Sequence, residues 1–172
     1  MDSCGQEGFY DAVIFLMIIS VASCLVLSST LLLTRLDEGA ARDSALNYAR
    51  ASLDSVLSSS LPEAFYEGSD GGRVELGNNT TVEDYLLVET YLVARGFSLS
   101  AFTDCNERIV TMARGLLTGA YDFSIKTKMA GDGGFEDVFS LGDADASPGY
   151  SASSDYSVYG DSIRIELVLR WA

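Results

Sequence analysis

The chain has 172 residues, 25 of them acidic and 11 basic, for a formal charge of −14. That length suits one domain, or one apolar segment followed by a domain able to bury a core without disulfides or metals. The charge repels phosphate backbones and so argues against nucleic acid as a partner. The absence of histidine removes the commonest general base and a leading metal ligand.

The N-terminus reads MDSCGQEGFYD, with Asp2, Glu7 and Asp11 and no basic residue. From Ala12 to Thr34 there is no charge at all. At 1.5 Å per residue that run spans about 34 Å, enough for a bilayer core of roughly 30 Å. It is apolar all round, which distinguishes it from an amphipathic surface helix. The expectation is therefore a leader or flank over 1–11, a transmembrane helix over 12–34 and an acidic α+β domain over 35–172, in a single-pass protein of the cell membrane with the lipid bilayer as a partner. Val21-Ala22-Ser23-Cys24 has the form of a lipobox, but membrane-grade sequence continues from Leu25 to Leu33 where a lipoprotein would carry a polar tether.

Orientation stays open at this level. Arg35, Arg42 and Arg50 follow the apolar run, which by the positive-inside rule puts the domain in the cytoplasm. Asn78-Asn79-Thr80-Thr81 holds two overlapping N-x-[ST] sequons, making Asn78 and Asn79 candidate glycosylation sites and favouring an extracytoplasmic domain.

Helical spacing continues beyond the apolar run. Leu46, Ala49, Leu53, Val56, Leu57 and Leu61 recur every three or four residues, and Pro62 ends the pattern. One long helix from about Phe9 to about Leu61 is expected, apolar all round in its first half and striped in its second. After the turn cluster Gly68-Ser69-Asp70-Gly71-Gly72, Arg73 to Leu76 is a short strand. Thr81 caps a second helix, with Glu83 and Asp84 on its dipole and Gly96 closing it. A third runs from Asp104 to Leu117.

Further on the period changes to two. Tyr121, Phe123, Ile125, Thr127 and Met129 alternate with polar residues, as do Ile163, Ile165, Leu167, Leu169 and Trp171. Between them, Phe135 to Leu141 returns as a strand and Gly142 to Asp155 reads as a loop. The sum is a long N-terminal helix, two shorter helices and a C-terminal antiparallel sheet of three to four strands.

No catalytic motif assembles: there is no phosphate loop, nucleotide fingerprint or nucleophile elbow. The chain is expected to be no enzyme and to need no cofactor. Asp132, Glu136, Asp137, Asp143 and Asp145 offer oxygens of the kind Ca²⁺ takes, without EF-hand spacing. Tyr150, Tyr156, Tyr159 and Trp171 are candidates for a sugar- or partner-binding face, or for packing at a sheet edge.

Gly5-Gln6-Glu7-Gly8-Phe9-Tyr10-Asp11, followed by the charge-free run, resembles the class III signal region of archaeal type IV pilin-like proteins. The resemblance implies cleavage after a glycine, leaving Gln6 or Phe9 as the first residue. It also implies an acid early in the mature helix, usually a glutamate and here Asp11. In that family the acid pairs with a neighbour's freed α-amino group, which offsets the cost of burying it among apolar helices. On this reading Gly5, Gln6, Gly8, Phe9 and Asp11 serve processing and assembly. The chain is then a membrane-anchored structural subunit, or an accessory protein, of a cell-surface filament or secretion apparatus. Its partners are copies of itself or other pilin-like subunits. The alternative is a membrane-tethered binding module that does not polymerise, in which Asp11 merely caps the helix.

Overall fold

The computed structural model describes residues 40–117, 121–143 and 149–171, together with Met17, Ile19, Ser20 and Ser23; the side chain of Trp171 lies outside this description. The chain divides into two compact units, 1–44 and 45–172.

Residues 40–57 are helical (α1). Within the second unit, Ala49, Leu53, Val56 and Leu57 are at most 3% exposed, while Arg50, Asp54 and Ser55 face solvent. That three-and-four spacing puts one apolar stripe on the core and leaves the charges outside. The helix ends before Leu61, which is fully buried and whose amide donates to the Thr80 carbonyl.

The membrane helix expected over 12–34, and with it the single-pass membrane placement, is not supported by the described residues. Among the described residues no helix is long and apolar enough to cross a membrane. The continuous helix that is described carries Arg42, Asp43, Arg50 and Asp54, and its apolar stripe is buried in the domain core rather than offered on all sides. Of the 12–34 run itself, Met17, Ile19, Ser20 and Ser23 are helical and exposed, and the rest lies outside the described residues.

After α1 come strands β1 (Ala64–Glu67) and β2 (Arg73–Gly77), paired antiparallel as a small separate sheet. Strand β2 matches the strand expected from Arg73 to Leu76, whereas β1 carries no such local pattern. Its ring Phe65 lies beneath Arg73 at 3.9 Å, and Tyr66 stacks on Phe102 at 5.4 Å. Helix α2 (Val82–Val93) starts at a full capping box: the Thr81 hydroxyl accepts from the Asp84 amide at 3.1 Å, and the Asp84 carboxylate accepts from the Thr81 amide. A 3₁₀ turn (Leu99–Phe102) leads into α3 (Thr103–Leu116). Asp104, where this helix was expected to start, sits inside its first turn.

The second sheet has the order β4-β3-β6-β5, all antiparallel, from β3 (Tyr121–Gly131), β4 (Gly134–Gly142), β5 (Tyr150–Val158) and β6 (Asp161–Trp171). Strand β5 takes up the end of the segment expected as a loop, from Tyr150 to Asp155. Its serines suppressed the hydrophobic alternation that marks a strand, and pairing with β6 supplied what propensity lacked. Gly149 admits it to the sheet: a Cβ there would meet the Leu169 carbonyl oxygen at 2.0 Å.

Alternation along the strands gives the sheet two faces. Phe123, Ile125, Thr127, Phe139, Leu141, Ile165, Leu167 and Leu169 face the helices and join α1, α2 and α3 in one core. The other face is mostly polar and charged, with Val168 and Phe135 as apolar members. The architecture of residues 40–171, as described, is α+β, with α1, α2 and α3 against an antiparallel sheet and a two-stranded sheet beside it.

Candidate functional site

Three features of the second unit have chemistry beyond packing. The first is a charged row across the polar face of the large sheet. Asp137, Lys128, Arg164 and Asp155 stand in register on β4, β3, β6 and β5. Arg164 holds Asp155 by two hydrogen bonds of 2.6 and 2.7 Å, which keeps that carboxyl below its ordinary range. Lys128 contacts Glu166 at 2.8 Å and Asp137 at 3.6 Å, and the bond to Glu166 raises its ammonium pKa. Every charge in the row has an opposite neighbour, so the face is self-neutralised.

The second feature is the tip of the β5–β6 hairpin. Tyr159 and Gly160 both have positive φ, +51° and +93°, as a two-residue type I′ turn requires. Tyrosine is an unfavourable residue there, and its side chain is 89% exposed. The ring lies 5.3 Å from Tyr91 of α2, whose other neighbour is the Arg95 guanidinium at 3.8 Å. Arg95 in turn pairs with Asp161 at 3.1 Å, tying the helix end to the hairpin.

The third is buried. Glu89 of α2 and Thr90 beside it have no exposed surface, and Asn106 of α3 donates to the Glu89 carboxyl at 2.6 Å. No cation is in contact with Glu89 among the described residues. Burial pushes its pKa from 4.5 up to about 8, with the Asn106 bond opposing only part of the rise. Tyr85, one turn earlier, is fully buried against the Phe65 and Phe102 carbonyls at 3.4 Å, and burial raises its phenol too. Glu89 escaped the sequence reading, although it falls four residues after Tyr85 and three after Leu86, on the stripe that α2 buries.

The residues singled out from sequence are scattered. Asn78 and Asn79 are exposed in the turn between β2 and α2, lining a surface cavity of about 450 Å³ with Leu76, Asp84 and Val88. The hydroxyls their sequons need are both occupied: Thr80 donates to the Gly77 carbonyl, and Thr81 is locked in the capping box. The proposed Ca²⁺ oxygens do not converge. Asp132 and Asp143 flank opposite ends of the nine-residue β4, roughly 30 Å apart at 3.4 Å per residue. Asp137 faces Lys128, Asp143 faces Arg114 at 3.7 Å, and Asp145 lies outside the described residues. Among the described residues no three acidic or cysteine side chains are grouped to hold a metal ion. Tyr150 and Tyr156 pack against the core, with the Tyr156 hydroxyl donating to Glu83 at 3.1 Å, Tyr159 is displayed at the hairpin tip, and the Trp171 side chain lies outside the described residues. Gly5, Gln6, Gly8, Phe9 and Asp11 lie outside the described residues.

No family model matches the chain, and no curated protein or solved structure matches it.

Proposed function

We propose that this chain is a structural subunit or accessory protein of a filament or secretion apparatus, of the pilin-like kind, working by helix packing and not by bond chemistry. One observation carries the reading. Met17 and Ile19, helical and set in an uncharged run, are 65% and 49% exposed in the isolated chain. Apolar side chains bared in this way are stabilised by about 25 cal/mol for each Å² covered, and the equivalent helix of a neighbouring copy is a cover of matching chemistry. The helix-then-antiparallel-sheet order of the second unit fits the same reading.

Mass analysis of the mature N-terminus, together with electron microscopy of assemblies, tests it. A chain beginning at Gln6 or Phe9, and filaments lost on Asp11→Ala while the domain stays folded, are the expected outcomes. An unprocessed N-terminus on a protein that stays monomeric at all concentrations sinks the reading. A second reading, a binding module that does not polymerise, is favoured by the displayed, conformationally costly Tyr159 beside Tyr91 and Arg95. It predicts that Tyr159→Ala abolishes partner capture and leaves assembly untouched.

A further inference from the structure

The two edges of the large sheet are built differently. Natural edge strands avoid stray pairing by charge, proline, bulges or short length. Strand β4 follows that rule: its register with β3 slips at Thr127/Lys128, and it carries Glu136 and Asp137. Strand β5 does not. It runs nine residues in unbroken register with β6, without proline or lysine. Its one charge, Asp155, is matched by the two hydrogen bonds from Arg164 of its own chain. Among the described residues no strand lies beyond it.

The sequence of β5 also complements itself. Laid antiparallel on a second copy with Ser154 at the centre, Tyr150 meets Val158, Ser151 meets Ser157, Ala152 meets Tyr156 and Ser153 meets Asp155. Each tyrosine falls opposite a smaller side chain. Both carboxylates fall opposite serine, so no like charges stand directly opposed. The helix-facing set (Tyr150, Ala152, Ser154, Tyr156, Val158) stays on one face of the joined sheet, and the exposed set stays on the other. We propose that β5 is the seam of a homodimer, pairing antiparallel with β5 of a second copy so that two four-stranded sheets become one. A second copy is the occupant because the whole nine-residue strand fits its own sequence about a single centre. The chain's charge of −14 opposes any association, yet this edge contributes only the compensated Asp155. The inference does not rest on the filament reading, since it uses only the second unit.

Site-specific disulfide trapping in the full chain tests it, in a Cys4→Ala/Cys24→Ala background that leaves the buried Cys105 in place. Ser151→Cys and Ser157→Cys alter exposed side chains, so both variants keep the fold. Opposed residues in an antiparallel pair lie within the Cα separation that a disulfide tolerates. Under mild oxidation, a mixture of the two variants should yield a species of doubled mass that neither forms alone. Ser151→Cys mixed with Ser153→Cys, which the register keeps apart, should yield none. If the first mixture traps no more dimer than either variant by itself, or the second traps as much as the first, the seam is wrong. Filaments built through another surface would not join 151 to 157, so this result stands apart from the assembly test above.

Discussion

Glu89 shows how one side chain sets a property of the whole domain. An ionised carboxylate with no exposed surface and no cation would leave a charge uncompensated, whereas a protonated one asks only for hydrogen bonds. Two atoms of the pair, Glu89 Oε2 and Asn106 Oδ1, are buried acceptors without a donor, the pattern a protonated carboxyl can relieve by supplying a hydroxyl. Because the folded pKa is about 8 against 4.5 unfolded, the folded state holds a proton that the unfolded chain gives up between those values. Stability from this group is therefore full below pH 4.5, falls as pH rises and levels off above 8. The titratable neighbour is Tyr85 on the same helix, whose phenol burial raises, while the inner faces of β3 and β4 supply Phe123, Ile125, Thr127, Phe139 and Leu141, none of which ionises. Glu89→Gln should flatten the fall and make the domain several kcal/mol more stable than wild type at pH 8 to 9. Urea melts across pH 5 to 9 measure this, and parallel pH profiles for the two proteins would refute it.

At the scale of the element, α1 illustrates how packing and pattern cooperate. Most of the stability of a helix in a folded protein comes from packing its apolar face, and α1 lays such a stripe on the core. Leu53, 1% exposed, is at the centre of that stripe. Leu53→Ala should cost about 3 kcal/mol in a denaturant melt, the usual range for a buried leucine whose cavity collapses only partly. Asp54→Ala, one residue on and exposed, should stay within about 0.5 kcal/mol. Equal effects from the two would mean that α1 is not seated as described. Strand β5 makes the opposite point. Nothing in Ser151, Ser153, Ser154 and Ser157 asks for a strand, and the segment is held by β6 and by the missing side chain at Gly149.

Across the whole molecule, charge is the dominant long-range effect. With 25 acids against 11 bases, the domain carries self-repulsion that its ion pairs neutralise only in places. Added salt shortens the range of that repulsion to about 8 Å at 0.15 M. The thermal midpoint should therefore rise as NaCl is raised from a few millimolar to about 0.5 M, where the Debye length is well below 8 Å. A midpoint that falls over this range would show that the surface pairs, which salt weakens, outweigh the repulsion.

What the residues determined by themselves was local. Thr81 with Asp84 specified where α2 begins, the three-and-four spacing from Ala49 to Leu57 specified the buried face of α1, and strict alternation specified β3 and β6. These rest on contacts within a turn or two, or on one strand's own two faces, and such signals are written in sequence order. The aligned charges of Asp137, Lys128, Arg164 and Asp155, the meeting of Tyr91 with Tyr159, and the burial of Glu89 against Asn106 arose only on folding. Each joins residues on different elements, and sheet order and register decided which of them meet. The same holds for the uncharged run from Ala12 to Thr34: hydropathy records that it avoids water, but only tertiary and quaternary structure can decide what takes water's place.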